Sequence, residues 1–162
     1  MPRKPVVFPI GLHLSLAARV VARSFDGALG EAGGSLPVWL VLLSVTTNPG
    51  AAQRQLAATL GLGEATLTHH LNAMESDGLI TRRRDPTNRR VHVVEATPAG
   101  AERFGVLRQA ALAYDRRLRR GIKEAELAGL HELLDRLVHN AGGPGAGPAW
   151  SGLAAPDVTG PR

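Results

Sequence analysis

Apolar residues recur at three- and four-residue steps from Leu12 to Leu29, through Leu14, Ala17, Ala18, Val21, Phe25 and Ala28, and so predict an amphipathic helix. Gly30, Gly33 and Gly34 interrupt it. Ser35 followed by Pro37 signals a new helix start, and Val38–Val45 is apolar on nearly every side, the pattern of a buried helix. Asn48-Pro49-Gly50 ends that element. A short helix is expected from Gln53 to Leu60, closed by Gly61, and another from Glu64 to Asp77, closed by Gly78. Leu79–Arg84 and Arg90–Ala96, the second rich in Val, flank the turn-forming Asp85-Pro86-Thr87-Asn88 and read as a β-hairpin. Thr97 before Pro98 caps a long helix to about Arg120, with Phe104, Leu107, Ala111 and Leu118 on one side. A last helix, Glu124–Asn140, carries Leu127, Leu130, Leu134 and Leu137 at helical spacing. Residues 1–10 are Pro-punctuated and expected to be flexible; residues 141–162, with six Gly and four Pro, read as a disordered tail. No internal repeat is present.

Projected at about 100 degrees per residue, the helix from Glu64 sets Leu67, Leu71 and Met74 in one buried stripe. Its outer face holds Ala65, Thr68, His69 and Asn72, with Thr66 at the flank and His70 between flank and core. A helix needing only solubility would more often carry Glu, Lys and Arg there. Small, uncharged, hydrogen-bonding side chains suit the reading of base edges in a major groove. The preceding short helix packs across it through Leu56 and Leu60, with Gly61-Leu62-Gly63 as a tight turn, which is helix-turn-helix spacing.

Charge sharpens this picture. The 162 residues carry 19 Lys+Arg and 14 Asp+Glu, a formal net charge of +5. Five Arg against one Asp between Arg82 and Arg90, the hairpin tip, account for most of it. A local basic cluster attracts polyanions more strongly than diffuse charge, because phosphate contacts release counterions. The basic run Arg116–Lys123 sits at a helix end and reads first as solubilising. With no Cys, disulfides, thiolate metal sites and thiol chemistry are excluded. Apolar runs are too short to span a bilayer, so a cytoplasmic protein with no membrane partner is expected.

The stretch QRQLAATLGLGEATLTHHLNAMESDGLITRRRDPTNRRVHVVEATPAG resembles the winged helix-turn-helix core of the MarR family of bacterial transcriptional regulators. The likeness extends over roughly residues 12–140 and rests on an ordered set: the short helix ending in Leu60-Gly61-Leu62, the Leu67/Leu71/Met74 spacing, Asp77-Gly78-Leu79-Ile80, the Arg-rich wing and Thr97-Pro98-Ala99-Gly100. It implies a mainly α fold with a small β-hairpin wing (α+β): a winged core over 36–97 and dimerisation helices over 11–30 and 98–140, together one domain spanning 11–140. It also implies a sequence-specific regulator, a repressor, that binds a pseudo-palindromic duplex as a homodimer. Ala65, Thr66, Thr68, His69, His70 and Asn72 would then face the major groove, and wing residues Arg84, Arg89 and Arg90 the backbone or minor groove. Gln53, Arg54 and Arg82 would add weaker phosphate contacts. Leu14, Val21, Leu127, Leu130, Leu134 and Leu137 would line the dimer interface. Asn88 stands where the family usually has an Asp that braces a wing arginine, Gly63 where a Ser/Thr cap is common, and His69-His70 where an Arg often sits.

Other classes fit less well. There is no HExxH, GxSxG, phosphate-binding loop or dinucleotide fingerprint, so an enzyme is not expected and no cofactor is called for. A zinc-responsive regulator would need His13, His131 and Glu132 to converge; without that, no metal site is assigned. A winged helix that binds protein instead of DNA would favour acidic residues on the outer face, where none occurs. The resemblance allows a small-molecule effector, whose identity the sequence withholds; one Tyr and three Phe suggest no stacking cage.

Overall fold

A computed structural model describes residues 8–86, 88 and 91–142. The chain begins with α1 (Ile10–Glu31), α2 (Leu36–Thr47), α3 (Gln53–Leu60) and α4 (Glu64–Ser76). The hairpin β1 (Ile80–Arg84) and β2 (His92–Ala96) follows, then α5 (Pro98–Leu118) and α6 (Glu124–Gly142).

The core is built around α2. Ser35 caps it by accepting the Val38 N–H, and Trp39, Val41, Leu42, Leu43, Ser44 and Val45 are all buried. Trp39 stacks on Phe104 of α5 with ring centroids 5.3 Å apart. Leu67, Leu71 and Met74 of α4, Leu56 of α3, Ile80 and Val94 of the hairpin and Leu107 of α5 complete one aliphatic cluster. The scarcity of aromatic residues therefore leaves a dense core of Leu and Val side chains. Ser44 Oγ is buried within it and, among the described residues, makes no hydrogen bond.

The β-strands pair antiparallel, Ile80 opposite Ala96 and Arg84 opposite His92. A further pairing is not marked by strand composition: Ala52 bridges Val93, and the Val94 N–H donates to the Ala51 carbonyl at 3.2 Å. β2 is thereby flanked on both edges, which fixes the hairpin to the start of α3. At the other end of the hairpin, Thr97 caps α5 by accepting the Gly100 N–H at 3.0 Å and donates its hydroxyl proton to the Gly78 carbonyl at 2.6 Å. Gly100 lies against the Leu79 carbonyl so closely that no side-chain atom would fit.

Some boundaries differ from the sequence expectations. The strands start at Ile80 and His92 rather than Leu79 and Arg90. α5 gives out at Leu118, ahead of Gly121, whose φ of 81° reverses the chain. α1 already begins at Ile10, and α6 continues through Ala141 and Gly142, which the Gly/Pro content had assigned to the tail. Residues 1–7 and 143–162 of the two expected flexible ends lie outside the described residues.

α1 and α6 project from this body. Among the described residues, Leu29 is the only buried position of α1 and Leu127 the only one of α6. Where α1 does pack, Tyr114 of α5 donates its hydroxyl to the Val21 carbonyl at 2.9 Å and its ring lies 5.1 Å from that of Phe25. The Asp26 carboxylate accepts the Leu36 N–H at 2.8 Å and sets the angle between α1 and α2.

Candidate nucleic-acid interface

α4 is held by its apolar stripe, with Leu67, Leu71 and Met74 at most 1% exposed. Its other side faces outward: Ala65, Thr66, His69 and Asn72 are exposed, while Thr68 and His70 are half-buried. The His69 and His70 rings lie 5.8 Å apart, edge to face. α3 ends at Gly61, whose φ of 63° is a left-handed conformation open to glycine at little cost, and the chain turns there into α4.

One flank of α4 is tied to its neighbours at two points. Near its start, Thr68 Oγ1 donates to the Glu64 carbonyl and accepts from Gln53 Nε2 of α3, both at 2.8 Å. The hydroxyl proton and one N–H of the Gln53 amide are thus engaged inside the protein. Near its end, Arg82 of β1 reaches across to Glu75: the Nε–H donates to Oε2 at 3.0 Å, Nη2 to the same oxygen, and the backbone N–H to Oε1 at 3.1 Å. Arg82 Nη2 also donates to Asn72 Oδ1 at 2.7 Å. The guanidinium beside Glu75 holds its carboxyl below the usual carboxylate range, against the opposing effect of desolvation. Arg82, expected as a phosphate contact, thus directs its Nε–H and both Nη2 hydrogens at α4. This flank was missed in the sequence. The Glu75–Arg82 separation of seven residues across Gly78 was the available signal.

The wing carries its charge unevenly. Arg83 pairs with Glu95 across the hairpin, Nε–Oε2 3.0 Å and Nη2–Oε1 2.6 Å, which lowers the Glu95 pKa and raises that of Arg83. Arg84 is exposed at the end of β1. At the tip, the Asp85 carboxylate accepts the Asn88 N–H at 3.2 Å and the Val91 N–H donates to the Asn88 carbonyl at 2.8 Å, closing the turn. Arg89 and Arg90 lie outside the described residues. Between α3 and β2 an open crevice of about 750 Å³ is lined by Gln53, exposed Arg54, Glu64 and His92, the last not singled out from the sequence.

The residues expected at a dimer interface divide. Leu14 and Val21 are each 38% exposed and Leu130 46%; Leu134 and Leu137 are half-buried. Leu127 is buried within the single chain. Leu12, Leu16 and Val20 of α1 and Leu133 of α6 are exposed as well. A second cleft, about 530 Å³, opens between α1 and α5, with Ala28, Ala110 and Ala113 on its walls beside Tyr114, Arg117 and Arg120. Among the described residues no group of three or more His, Asp and Glu side chains is placed to hold a metal ion, and His13, His131 and Glu132 do not converge. No single described helix is long and apolar enough to cross a membrane.

Two helices joined by a tight turn, the second presenting an uncharged polar face, followed by an Arg-bearing hairpin braced on both edges, define a winged helix-turn-helix. Residues 35–92 match the model of the MarR family, which makes this central segment a MarR-type domain. A candidate transcriptional regulatory protein for the hcr operon of Thauera aromatica is 29% identical over 129 residues, 79% of this chain and 78% of that protein. CouR from Rhodococcus jostii RHA1, solved with p-coumaroyl-CoA bound, superposes with a TM-score of 0.70 at 26% identity, covering 79% of this chain and 90% of that one. CouR bound to a 23-mer DNA duplex gives a TM-score of 0.76 over 85% of this chain and 97% of that one; at 24% identity this likeness speaks for the fold. The central domain is thus a MarR-type winged helix, and the proteins it resembles are described as transcriptional regulators.

Proposed function

We propose that the protein is a homodimeric repressor that binds a pseudo-palindromic operator in double-stranded DNA, reading bases with α4 and gripping the backbone with the wing. The observation that carries this reading is the exposed face of Ala65, Thr66, His69 and Asn72, four positions without charge, together with the exposed Arg54 of α3 and Arg84 at the end of β1. Such a face offers donors and acceptors to base edges, while the flanking arginines meet phosphates. Arg89 and Arg90 extend the same basic border along the sequence. A protein-binding winged helix would gain nothing from so basic a rim.

Dimerisation is argued from α1 and α6. A helix of 22 residues with one buried position cannot persist alone in water with Leu12, Leu16 and Val20 exposed. A second copy, offering the same apolar faces across a two-fold axis, covers them. That axis sets two α4 helices about one helical turn of DNA apart. The repressor role is drawn by analogy with CouR, a transcriptional repressor. We place a small-molecule effector in the α1–α5 cleft, where the alanines admit an apolar body and Arg117 and Arg120, outnumbering Glu31 on the same wall, an anionic end; CouR, which binds p-coumaroyl-CoA, is the precedent among relatives.

The test is selection of bound duplexes from a random pool by the full-length protein, with the mass of the complex measured on the enriched site. Two protomers on a symmetric motif support the reading. An unenriched pool, or one protomer on an asymmetric site, overturns it.

A further inference from the structure

The Arg82–Glu75 pair does more than brace the hairpin against α4. Arginine has donors only. The Asn72 amide atom 2.7 Å from Arg82 Nη2 must therefore be its oxygen, which leaves the amide nitrogen directed away from the wing. Glu75 fixes the guanidinium in turn, since Nε and one Nη2 hydrogen lie on its Oε2 while the backbone N–H of Arg82 occupies Oε1. The second Nη2 hydrogen is the one that takes up Asn72 Oδ1. An asparagine free to rotate reads adenine with both ends of its amide, accepting from N6 and donating to N7. With one lone pair of its oxygen taken by Arg82 and the amide held in that orientation, Asn72 offers two N–H donors to the groove and only the oxygen's second lone pair as an acceptor.

We infer that Arg82 is a positioning residue for specificity: by holding the Asn72 oxygen it orients the amide to read chiefly as a donor, so that the base pair opposite Asn72 presents acceptors, guanine N7 and O6 foremost, and adenine is disfavoured. This rests on the DNA-reading role proposed above. It replaces the phosphate contact expected of Arg82 with an action exerted through another side chain. Glu75 becomes part of the same device although it never approaches the DNA.

The experiment compares base preferences selected from a random duplex pool by wild type, Arg82→Ala, Glu75→Gln, Asn72→Ala and the Arg82→Ala/Asn72→Ala double variant. Circular dichroism verifies that each is folded, and Arg82→Lys stands in should Arg82→Ala not fold. The wild type should enrich guanine at the position that Asn72→Ala flattens. Arg82→Ala should admit adenine there, with the guanine-over-adenine ratio falling about tenfold. Glu75→Gln should produce the same shift while retaining the Arg82 charge, and the double variant should match Asn72→Ala. The inference is overturned if Arg82→Ala and Glu75→Gln leave that position as in wild type, or if Arg82→Ala only weakens binding to all sequences alike. A wild-type pool with no motif at all would instead overturn the DNA-reading role itself.

Discussion

Adding one methyl group to α5 should act in opposite directions at two glycines five residues apart. Gly100 sits where the helix start presses on the Leu79 carbonyl, and a Cβ there would lie far inside van der Waals contact with that oxygen. The obstacle is backbone, and it is pinned: the same carbonyl accepts the Thr97 N–H at 3.0 Å. Forcing a methyl into a packed site costs about 1–3 kcal/mol, and immobile backbone argues for the upper end. Alanine's advantage over glycine within a helix offsets about 1 kcal/mol of that. Gly100→Ala should therefore lose about 2 kcal/mol. At Gly105 a Cβ meets nothing within 4 Å, so Gly105→Ala should gain about 0.5–1 kcal/mol. Urea unfolding of the three proteins at one fixed concentration, which holds any dimer contribution constant, should place wild type between the variants. The reasoning fails if Gly100→Ala lies within about 0.5 kcal/mol of wild type, or if both substitutions shift the midpoint in the same direction.

Other outcomes follow from the same geometry. Ser44→Ala should raise stability by about 1 kcal/mol in the same unfolding assay, because it removes a buried hydroxyl that has no partner among the described residues. Glu75 has a folded pKa below its unfolded value, so its contribution is complete above the unfolded pKa near 4.5 and is lost as pH falls through the lower folded one. Glu75→Gln should accordingly flatten the acid limb of stability against pH, followed by circular dichroism from pH 6 downward. Leu133→Asp combined with Val20→Asp should shift the sedimentation coefficient toward a monomer, as both side chains are more than half exposed in the single chain. Arg54→Ala should weaken binding to every duplex and reduce the salt slope by about one, whereas His69→Ala should alter base preference with little change in slope.

The fold was legible wherever a period or a stop signal wrote it into the chain. Ser35 and Thr97 cap the helices they were expected to cap, and Leu67, Leu71 and Met74 are the buried stripe that their spacing predicts. What escaped were pairings between distant polar groups, which leave no periodic trace. Thr68 reads as an outward-facing position on a projection of α4, yet its hydroxyl is used by Gln53, fifteen residues earlier. Arg82 looks like part of an undivided basic run, and only the approach of β1 to α4 reveals that Glu75 neutralises it. The run of five arginines is therefore not five equal contacts: Arg82 and Arg83 are paired within the protein, and Arg84 is exposed. Leu127 hides a packing role in the same way. Its helical spacing puts it in line with Leu130 and Leu134, but its own chain already buries it. The bridge from Ala52 to Val93 was invisible because a single pairing needs no strand propensity.

The central claim is that the wing and the start of α3 grip phosphates on both halves of a symmetric duplex while α4 reads the bases between. Equilibrium binding of the full-length protein to its enriched duplex, measured by fluorescence anisotropy across a range of salt concentrations, tests it most directly. Neutralising several phosphates per protomer predicts a steep linear fall of log K with log salt, with a slope of about −0.9 for each phosphate contacted. Affinity that does not change with salt would contradict the account.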